Sequence, residues 1–233
     1  MKNNKGYCKQ AFVWEVEADK SLMFLNSIVN FCIVKSKQTE TGIMYRNTMN
    51  MYNGRRGLSL EEKEKRKMFI DNMKNINHSV CEEYVKNILE YPNNSTEHFF
   101  QYLAGFFDAE GCIYIHKGSY VLRVFISQTN IHILNLIQNY FGGKIRKVKN
   151  KLRADGCNRK QAWVWELTSR NTIYFMECIK PYLLEKKEQA ELAIKYQKHD
   201  LIIHTTKIPY EEIKKREEYR LNLIILKKTH ETN

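Results

Sequence analysis

An internal repeat constrains the fold of this 233-residue chain more than any other feature. Residues 9–45 align without gaps with residues 160–196, at an offset of 151 positions. Both copies read Val-Trp-Glu near their start, and the likeness resumes after a one-residue slip between residues 58–69 and 208–219. Repeated segments fold into equivalent structural units. We therefore expect two related units in one chain.

Each copy predicts the same order of elements, which is a strand followed by two helices and a charged amphipathic helix. AFVWEV at 11–16 and AWVWEL at 162–167 are rich in aromatic and β-branched residues, as strands are. The segments 21–29 and 172–183 carry apolar residues at helical spacing. The two copies therefore share the same back half of a unit.

Only the second copy is preceded by a long front part, residues 97–158. The polar stretch 74–96 contains the run Pro-Asn-Asn-Ser, which predicts a break before a new helix. We therefore predict a partial unit over residues 1–73, a connector over 74–96 and a complete unit with a C-terminal helix over 97–233.

The front part predicts a helix, two strands, a second helix and a basic strand. Residues 99–109 read as a helix that Gly111 ends, and CIYIHK at 112–117 alternates as a strand does. YVLRVFISQT at 120–129 alternates in the same way, and residues 131–141 form a helix before a Gly-Gly turn and the strand KIRKVK. With AWVWEL, these elements make a four-stranded unit.

The charge balance indicates a polyanionic partner. Lys and Arg number 38 against 26 Asp and Glu, which gives a net charge of +12. Each phosphate contact made by Lys or Arg releases a condensed counterion, so such an excess favours nucleic acid. Residues 144–160 hold eight basic side chains and one acid, Asp155, and therefore form a local basic patch.

The cysteines and the apolar segments exclude other classes of protein. Six scattered cysteines without a CxxC pair argue against a zinc ribbon and against a disulfide framework. The N-terminus has no signal core, and no apolar stretch approaches the ~18 residues of a membrane span. We expect an intracellular protein, located in a chloroplast or mitochondrion or in a bacterial or phage cytoplasm.

The stretch LAGFFDAEG at 103–111 carries the chemistry. Three small residues on one side of the predicted helix would let a second helix approach closely, and these are Ala104, Gly105 and Ala109. Glu110 lies at the last turn, where its carboxylate would meet a matching carboxylate of the partner helix. Like charges that close require cations between them, which is how a two-metal phosphodiester site is built.

This stretch resembles the LAGLIDADG motif of homing endonucleases. Six of its nine residues match, and Glu110 stands in place of the second Asp. The resemblance implies an α+β fold of αββαββα units, in which motif helices pair centrally and antiparallel sheets form a saddle over the DNA major groove. This chain would hold one complete unit and a partial N-terminal repeat.

The resemblance also implies roles for individual residues. Glu110 would bind metal, with the Ala109 carbonyl nearby, at a site that holds two or more Mg²⁺ ions. Gln128 would organise water, and Lys186 would lie near the scissile phosphate, with Lys35 as its counterpart in the partial copy. Asp108 is expected to be structural. The residues expected to contact DNA are Tyr114, His116, Lys117, Arg123, Lys144, Arg146, Lys147 and Lys149, with Arg146 the best candidate for reading a base.

The primary hypothesis is an intron-encoded, site-specific endonuclease that makes a metal-dependent double-strand break in a long DNA target. Two alternatives stay open, an RNA maturase that assists intron splicing and a DNA-binding remnant without catalysis. The family needs two motif helices, yet the motif occurs once. Three hypotheses stay open: the reading frame lacks an upstream N-terminal segment, the chain forms a homodimer through the 103–111 helix, or the element has decayed.

Overall fold

The computed structural model describes residues 13–32, 34–48, 58–78, 96–148, 161–168, 170–202 and 208–229. The chain divides into two compact units, residues 1–79 and 80–233, and this division lies inside the predicted connector. Among the described residues, no helix combines the length and the apolar character needed to cross a membrane.

The described part of the first unit is helical. Its elements are α1 (Ala18–Ile28), a 3₁₀ turn (Val29–Phe31), α2 (Ser36–Thr48) and α3 (Leu60–His78). Helix α3 begins at Leu60 because the Ser59 hydroxyl accepts the Glu62 backbone N–H at 3.1 Å, as a Ser-x-x-Glu cap does. The helix continues past residue 73, the predicted end of the partial unit.

The strand predicted at residues 11–16 is wrong for its described part. Residues 13–17 have no regular secondary structure, and Val13 and Trp14 are 80% and 70% exposed. A strand satisfies its backbone groups by pairing with a neighbour, and propensity alone does not supply one. The described residues of the first unit contain no strand that could pair with this segment.

The second unit has the predicted αββαββα order within its described residues. Its elements are α4 (Thr96–Glu110), β1 (Gly111–Ile115), β2 (Leu122–Gln128), α5 (Ile131–Phe141), β3 (Lys144–Lys147), β4 (Trp163–Thr168), α6 (Asn171–Ile179), a 3₁₀ turn (Lys180–Tyr182), α7 (Lys187–Ile202) and α8 (Tyr210–Thr229). The fold class predicted for the complete unit is therefore confirmed.

The structure also confirms the repeat. The two 3₁₀ turns begin at Val29 and Lys180, and α2 and α7 begin at Ser36 and Lys187, so both pairs lie 151 positions apart. Helices α3 and α8 begin 150 positions apart, which reproduces the one-residue slip in the sequence.

The four strands form one antiparallel sheet in the order β1-β2-β4-β3. Gly111 pairs with Ile126, Ile126 with Trp165, and Trp165 with Ile145. The predicted alternation holds, because one face of β1 and β2 is buried and consists of Ile113, Ile115, Leu122, Val124 and Ile126. The opposite face is left for polar and aromatic side chains.

The core of the second unit centres on Phe175 of α6. Its ring centroid lies 5.4 Å from that of Phe107 in α4, 5.0 Å from Phe141 in α5 and 5.1 Å from Trp165 in β4. All four rings are buried, and each contributes roughly 1.5–3 kcal/mol relative to an exposed position. Elements from both halves of the unit therefore meet at one aromatic cluster.

The turn between α5 and β3 requires glycine. Gly142 and Gly143 have φ angles of 73° and 91°, in the left-handed region that other residues rarely adopt. A Cβ at Gly143 would lie 2.6 Å from the backbone oxygen of Glu166. The Gly142 carbonyl accepts the Trp165 indole N–H at 2.8 Å, so the turn is joined directly to β4.

The buried carboxylate of Glu212 in α8 contacts side chains of both α8 and α7. Arg216 Nε lies 2.8 Å from one oxygen of Glu212, and His199 Nε2 lies 3.0 Å from the other. Burial by itself would raise the pKa of Glu212, but the hydrogen bonds from Arg216 and His199 outweigh burial and lower this pKa below its ordinary value of 4.5.

Candidate active site and nucleic-acid interface

The motif helix α4 ends at its acidic residue, Glu110. Gly111 follows at once as the first residue of β1, and a Cβ there would lie 2.2 Å from the Phe107 ring, so this close approach requires glycine. Glu110 is exposed at the C-terminal end of the helix. The helix dipole disfavours a carboxylate at this end, whereas a bound cation would stabilise it.

Asp108 fastens the motif helix to the start of α7. Its Oδ2 accepts the backbone N–H of Leu184 at 2.8 Å, and its Oδ1 accepts that of Lys186 at 2.9 Å. These amides immediately precede α7 and have no partner within that helix, so the carboxylate acts as an N-terminal cap. These two hydrogen bonds fit the expectation that Asp108 is structural.

Lys186 lies against the C-terminal end of the motif helix. Its ammonium donates a hydrogen bond to the backbone carbonyl of Asp108, two residues before Glu110. Burial lowers the pKa of Lys186, and attraction to Asp108 partly offsets this. The fold therefore brings the predicted basic residue to the predicted acidic end of the helix. Its counterpart Lys35 is exposed and directly precedes α2.

Gln128 lies at the same end of the sheet as Glu110. Gly111 pairs with Ile126, and Gln128 is two residues further along β2. Its Oε1 accepts the backbone N–H of Thr129 at 2.7 Å, which holds the amide at the strand end.

The sequence did not predict that a second lysine, Lys227, lies near Lys186. Lys227, in the last turn of α8, places its Nζ 3.6 Å from Cys112 Sγ, and its charge helps to lower the pKa of Lys186, after the larger effect of burial. The basic pair at 227–228 is visible in the sequence, but the strand that it approaches depends on how α8 packs.

The donor atoms fit a hard divalent cation. The Glu110 carboxylate and the Ala109 carbonyl are oxygen ligands, which Mg²⁺ prefers. Among the described residues, no group of three or more His, Cys, Asp or Glu side chains could enclose a metal ion. In the described part of this unit, the exposed motif carboxylate is that of Glu110.

Only two of the three small residues predicted to line the helix interface are exposed. Gly105 and Ala109 are exposed, and a Cβ at Gly105 would have no neighbour within 4 Å. Ala104, in contrast, is fully buried in its own unit, so its assignment to the exposed side is wrong. It lies one residue from Gly105, about 100° around the helix, and shares the core stripe with Leu103 and Phe107.

The open face of the sheet carries four of the eight predicted DNA contacts, which are Tyr114, Arg123, Lys144 and Arg146. Arg123 Nη1 lies 2.7 Å from Glu166 Oε1, and Arg146 Nε lies 3.5 Å from the other oxygen of the same carboxylate. Glu166 therefore links the two arginines across β2, β4 and β3, a role that the sequence did not reveal. Tyr114 lies on this face against Phe125, with ring centroids 5.7 Å apart.

The remaining predicted contacts lie at the turn and at the sheet edge. His116 and Lys117 are exposed in the β1–β2 turn, where Ser119 Oγ lies 2.9 Å from His116 Nδ1. Lys147 alternates to the opposite face of β3 from Arg146 and from Lys144, which is exposed beside Glu166. Lys149 lies outside the described residues.

Comparisons with known proteins found one family model and several solved structures to which the chain is similar. A family model described as LAGLIDADG endonuclease matches residues 103–192, from the motif helix into α7. The chain is similar to a solved structure of the homing endonuclease I-CvuI in complex with its target in the presence of Ca, with 25% identity, 56% of this chain and 82% of that chain covered, and a TM-score of 0.43. It is similar to the archaeal intron-encoded homing endonuclease I-Vdi141I complexed with DNA, with 15% identity, 57% and 86% coverage and a TM-score of 0.44. No curated protein matches the chain significantly.

Proposed function

We propose that this chain is a DNA endonuclease that makes a metal-dependent double-strand break in a long, intron-related DNA target, a proposal supported by the match of residues 103–192 to the family model described as LAGLIDADG endonuclease. The observation that carries this proposal is the exposed Glu110 carboxylate at the end of α4, with Lys186 hydrogen-bonded to the same helix end. A carboxylate and an ammonium group at the same helix end can serve a metal ion and a phosphate.

A separate task belongs to each of the residues Glu110, Lys186 and Gln128 in this proposal. Glu110, with the Ala109 carbonyl, holds the cation. A bound Mg²⁺ supplies a Lewis acid and an activated water. Lys186 faces the negative charge that develops on the phosphate during hydrolysis, and a fixed cation there favours the transition state over the ground state. Gln128 orients the attacking water from the neighbouring strand end.

The sheet supplies the recognition surface. Arg123, Arg146 and Lys144 lie on its open face, where long basic side chains can reach base edges and phosphates in the major groove. Glu166 pairs with both arginines before DNA arrives, which reduces the entropy that they lose on binding. Lys117 and His116 extend the surface at the β1–β2 turn.

The second carboxylate comes from a second motif helix, in another copy of the chain or in a segment that completes the first repeat. Gly105 and Ala109 are exposed small residues of α4, against which such a helix can pack closely.

The test is cleavage of a plasmid that carries the intronless form of the gene's own insertion locus, in the presence of Mg²⁺. The expected product is one discrete linear species. Glu110→Gln should abolish it without loss of DNA binding measured in Ca²⁺. Lys186→Ala should slow single-turnover cleavage by about 10²–10³-fold, as the loss of one transition-state contact does.

A matched control is Asp71→Asn, which removes an exposed carboxylate of α3 that pairs with Lys74 at 3.3 Å. It should cleave like the natural chain. Cleavage that persists in Glu110→Gln would refute the assigned role of Glu110.

A DNA- or RNA-binding protein without cleavage activity is the second candidate, because the motif occurs once in the sequence. Tight, salt-sensitive duplex binding without cutting would favour a catalytically inactive remnant. Binding of intron RNA that survives Glu110→Ala would favour a maturase.

A further inference from the structure

The β1–β2 turn holds a tyrosine in a backbone conformation that favours glycine. The turn spans residues 116–121, and the backbone N–H of Tyr120 donates to the His116 carbonyl at 2.9 Å. Tyr120 has a φ angle of 52°, and it is the one non-glycine residue with a positive φ in the described part of the chain. A bulky residue rarely adopts this conformation, so surrounding contacts must hold it.

One of these contacts comes from the core of the second unit. The hydroxyl of Tyr196, in α7, donates a hydrogen bond to the backbone carbonyl of Tyr120. The Tyr196 side chain is fully buried and packs edge to face against Tyr219 of α8, with ring centroids 5.4 Å apart. A buried hydroxyl has little access to water as an alternative partner. The backbone of the turn is therefore tied to the packing of α7 against α8.

A second contact comes from a glutamate of α8 that is itself held in place. The Tyr120 hydroxyl is hydrogen-bonded to Glu217, and burial together with the charge of Glu217 raises the pKa of Tyr120. Arg220 contacts both oxygens of the same carboxylate, with its Nη2 at 2.5 Å and its Nε at 2.9 Å. The hydrogen bond from Arg220 lowers the pKa of Glu217, and the charge of Lys117 in the turn adds to this effect.

The residues that contact the turn differ from their equivalents in the repeat. Helix α3 of the first unit aligns with α8 at an offset of 150 positions, and it has Lys67 and Ile70 where α8 has Glu217 and Arg220. The ion pair Glu212–Arg216 of α8, in contrast, has a direct counterpart in α3. The repeat thus keeps an ion pair of the helix and changes the pair beside the turn, which indicates that Glu217 and Arg220 serve more than helix formation.

The turn lies at the opposite end of β1 from the candidate active site. Strand β1 begins directly after Glu110 and ends at Ile115, directly before the turn. Its five residues, at about 3.4 Å each, separate the turn from Glu110 by about 17 Å. Nucleotides of one DNA strand are also spaced by about 3.4 Å, so this distance corresponds to roughly five base pairs. His116 and Lys117 therefore lie where the outer part of a DNA target would pass.

We propose that Tyr196 and Glu217 are positioning residues, which hold the β1–β2 turn for recognition of the outer part of the DNA target. Tyr196 is buried, and Glu217 carries the same sign of charge as phosphate, so both act through Tyr120 on His116 and Lys117. A turn that is held before binding loses less conformational entropy on the DNA. The inference rests on the proposed function, because it assigns these residues to DNA recognition.

The test is a double-mutant cycle between Tyr196 and Lys117, measured as duplex binding in Ca²⁺. The duplex carries the intronless form of the gene's own insertion locus. Lys117→Ala should weaken binding by about fivefold and reduce the slope of log K against log salt by about 0.9, because one phosphate contact is lost. Tyr196→Phe should have a similar effect although its side chain is buried. Independent losses would multiply to about 25-fold, whereas positioning predicts a double variant within about twofold of the weaker single variant.

Base substitutions in the same duplex give a readout that a general loss of stability would not move. Tyr196→Phe should reduce discrimination between bases at positions roughly five base pairs from the cut, and discrimination at the central positions should stay as in the natural chain. A uniform loss of affinity at all positions would overturn the positioning role.

Tyr45→Phe is the matched control, because Tyr45 occupies the position of Tyr196 in the first unit and packs against Phe69 at 5.5 Å. It removes the same hydroxyl and should bind the duplex within about twofold of the natural chain. Tyr120→Phe keeps the test decisive if Tyr196→Phe does not fold, since it removes only the partly exposed hydroxyl that contacts Glu217. Its cycle with Lys117→Ala should show the same coupling.

The outcomes separate this inference from the proposed function. Multiplicative losses in a chain that cleaves its locus would overturn the positioning role and leave the endonuclease proposal intact. Coupled losses in a chain that binds the duplex without cutting it would support the positioning role and refute the cleavage. A natural chain that binds no duplex would overturn both.

Discussion

Replacement of Asp108 by Asn tests how the motif helix is fastened to the rest of the second unit. The carboxylate accepts two backbone N–H groups, from Leu184 at 2.8 Å and from Lys186 at 2.9 Å, and each uses a different oxygen. Asparagine preserves the volume but offers one acceptor oxygen. Its amide group would face the second N–H, so one charge-assisted hydrogen bond is lost and two donors oppose each other.

The expected loss of stability follows from these contacts. A hydrogen bond to a charged group contributes about 1.5–3 kcal/mol, and replacement of an N-terminal cap costs about 0.5–2 kcal/mol. Asp108 is half-buried, so solvent screens it in part. We expect the free energy of unfolding to fall by about 2 kcal/mol, which lowers the Tm by roughly 4–8 °C for a chain of this size.

Urea unfolding followed by tryptophan fluorescence measures this change. Trp163 and Trp165 lie in the second unit, and Trp165 is fully buried there. Hydrogen exchange of the first amides of α7 adds a local measurement, and these amides should exchange faster in Asp108→Asn. The control Asp71→Asn loses an exposed ion pair with Lys74 and should change stability by less than about 0.5 kcal/mol.

A stability loss for Asp108→Asn no larger than that of Asp71→Asn would refute the capping role. In that case the carboxylate would have to act elsewhere, and cleavage assays of Asp108→Asn would become the informative measurement.

Three further predictions concern packing and pH. Gly143→Ala should destabilise the second unit by about 1–3 kcal/mol in chemical unfolding, because the residue combines a positive φ with a Cβ position 2.6 Å from a backbone oxygen; a neutral effect would show that the α5–β3 turn can shift. Phe175→Ala should cost about 3–5 kcal/mol, whereas Phe24→Ala at the equivalent, partly exposed position should cost far less, and equal losses would contradict the difference in burial. Glu212→Gln should destabilise at neutral pH, where the ionised Glu212 pairs with Arg216. The pKa of Glu212 is lowered on folding, so its contribution is present above the ordinary value of 4.5 and is lost as the pH falls through the folded-state pKa. The natural chain should therefore lose more stability on acidification below pH 4.5 than Glu212→Gln does, and parallel curves would contradict this.

The sequence by itself determined the elements whose signals are local. The alternation in β1 and β2, the apolar spacing of α5 and the Gly-Gly turn each depend on residues a few positions apart, and all were predicted correctly. The motif helix, its end at Glu110 and the repeat offset of 151 likewise required no long-range information. The same holds for the αββαββα order, since each element carries its own pattern.

Tertiary structure decided which side chains meet across elements. Lys227 approaches Cys112, and Glu166 links Arg123 with Arg146, through packing and register between segments far apart in the chain. No local pattern encodes such contacts.

Tertiary structure also decided which residues are buried and which strands pair. Ala104 faces its own core although its small size suits a helix interface, because the helix turns it toward the apolar stripe. The segment 13–16 has strand composition but forms no strand, since a strand exists only with a hydrogen-bonding neighbour. Propensity belongs to a residue and its near neighbours, whereas pairing and burial belong to the whole unit.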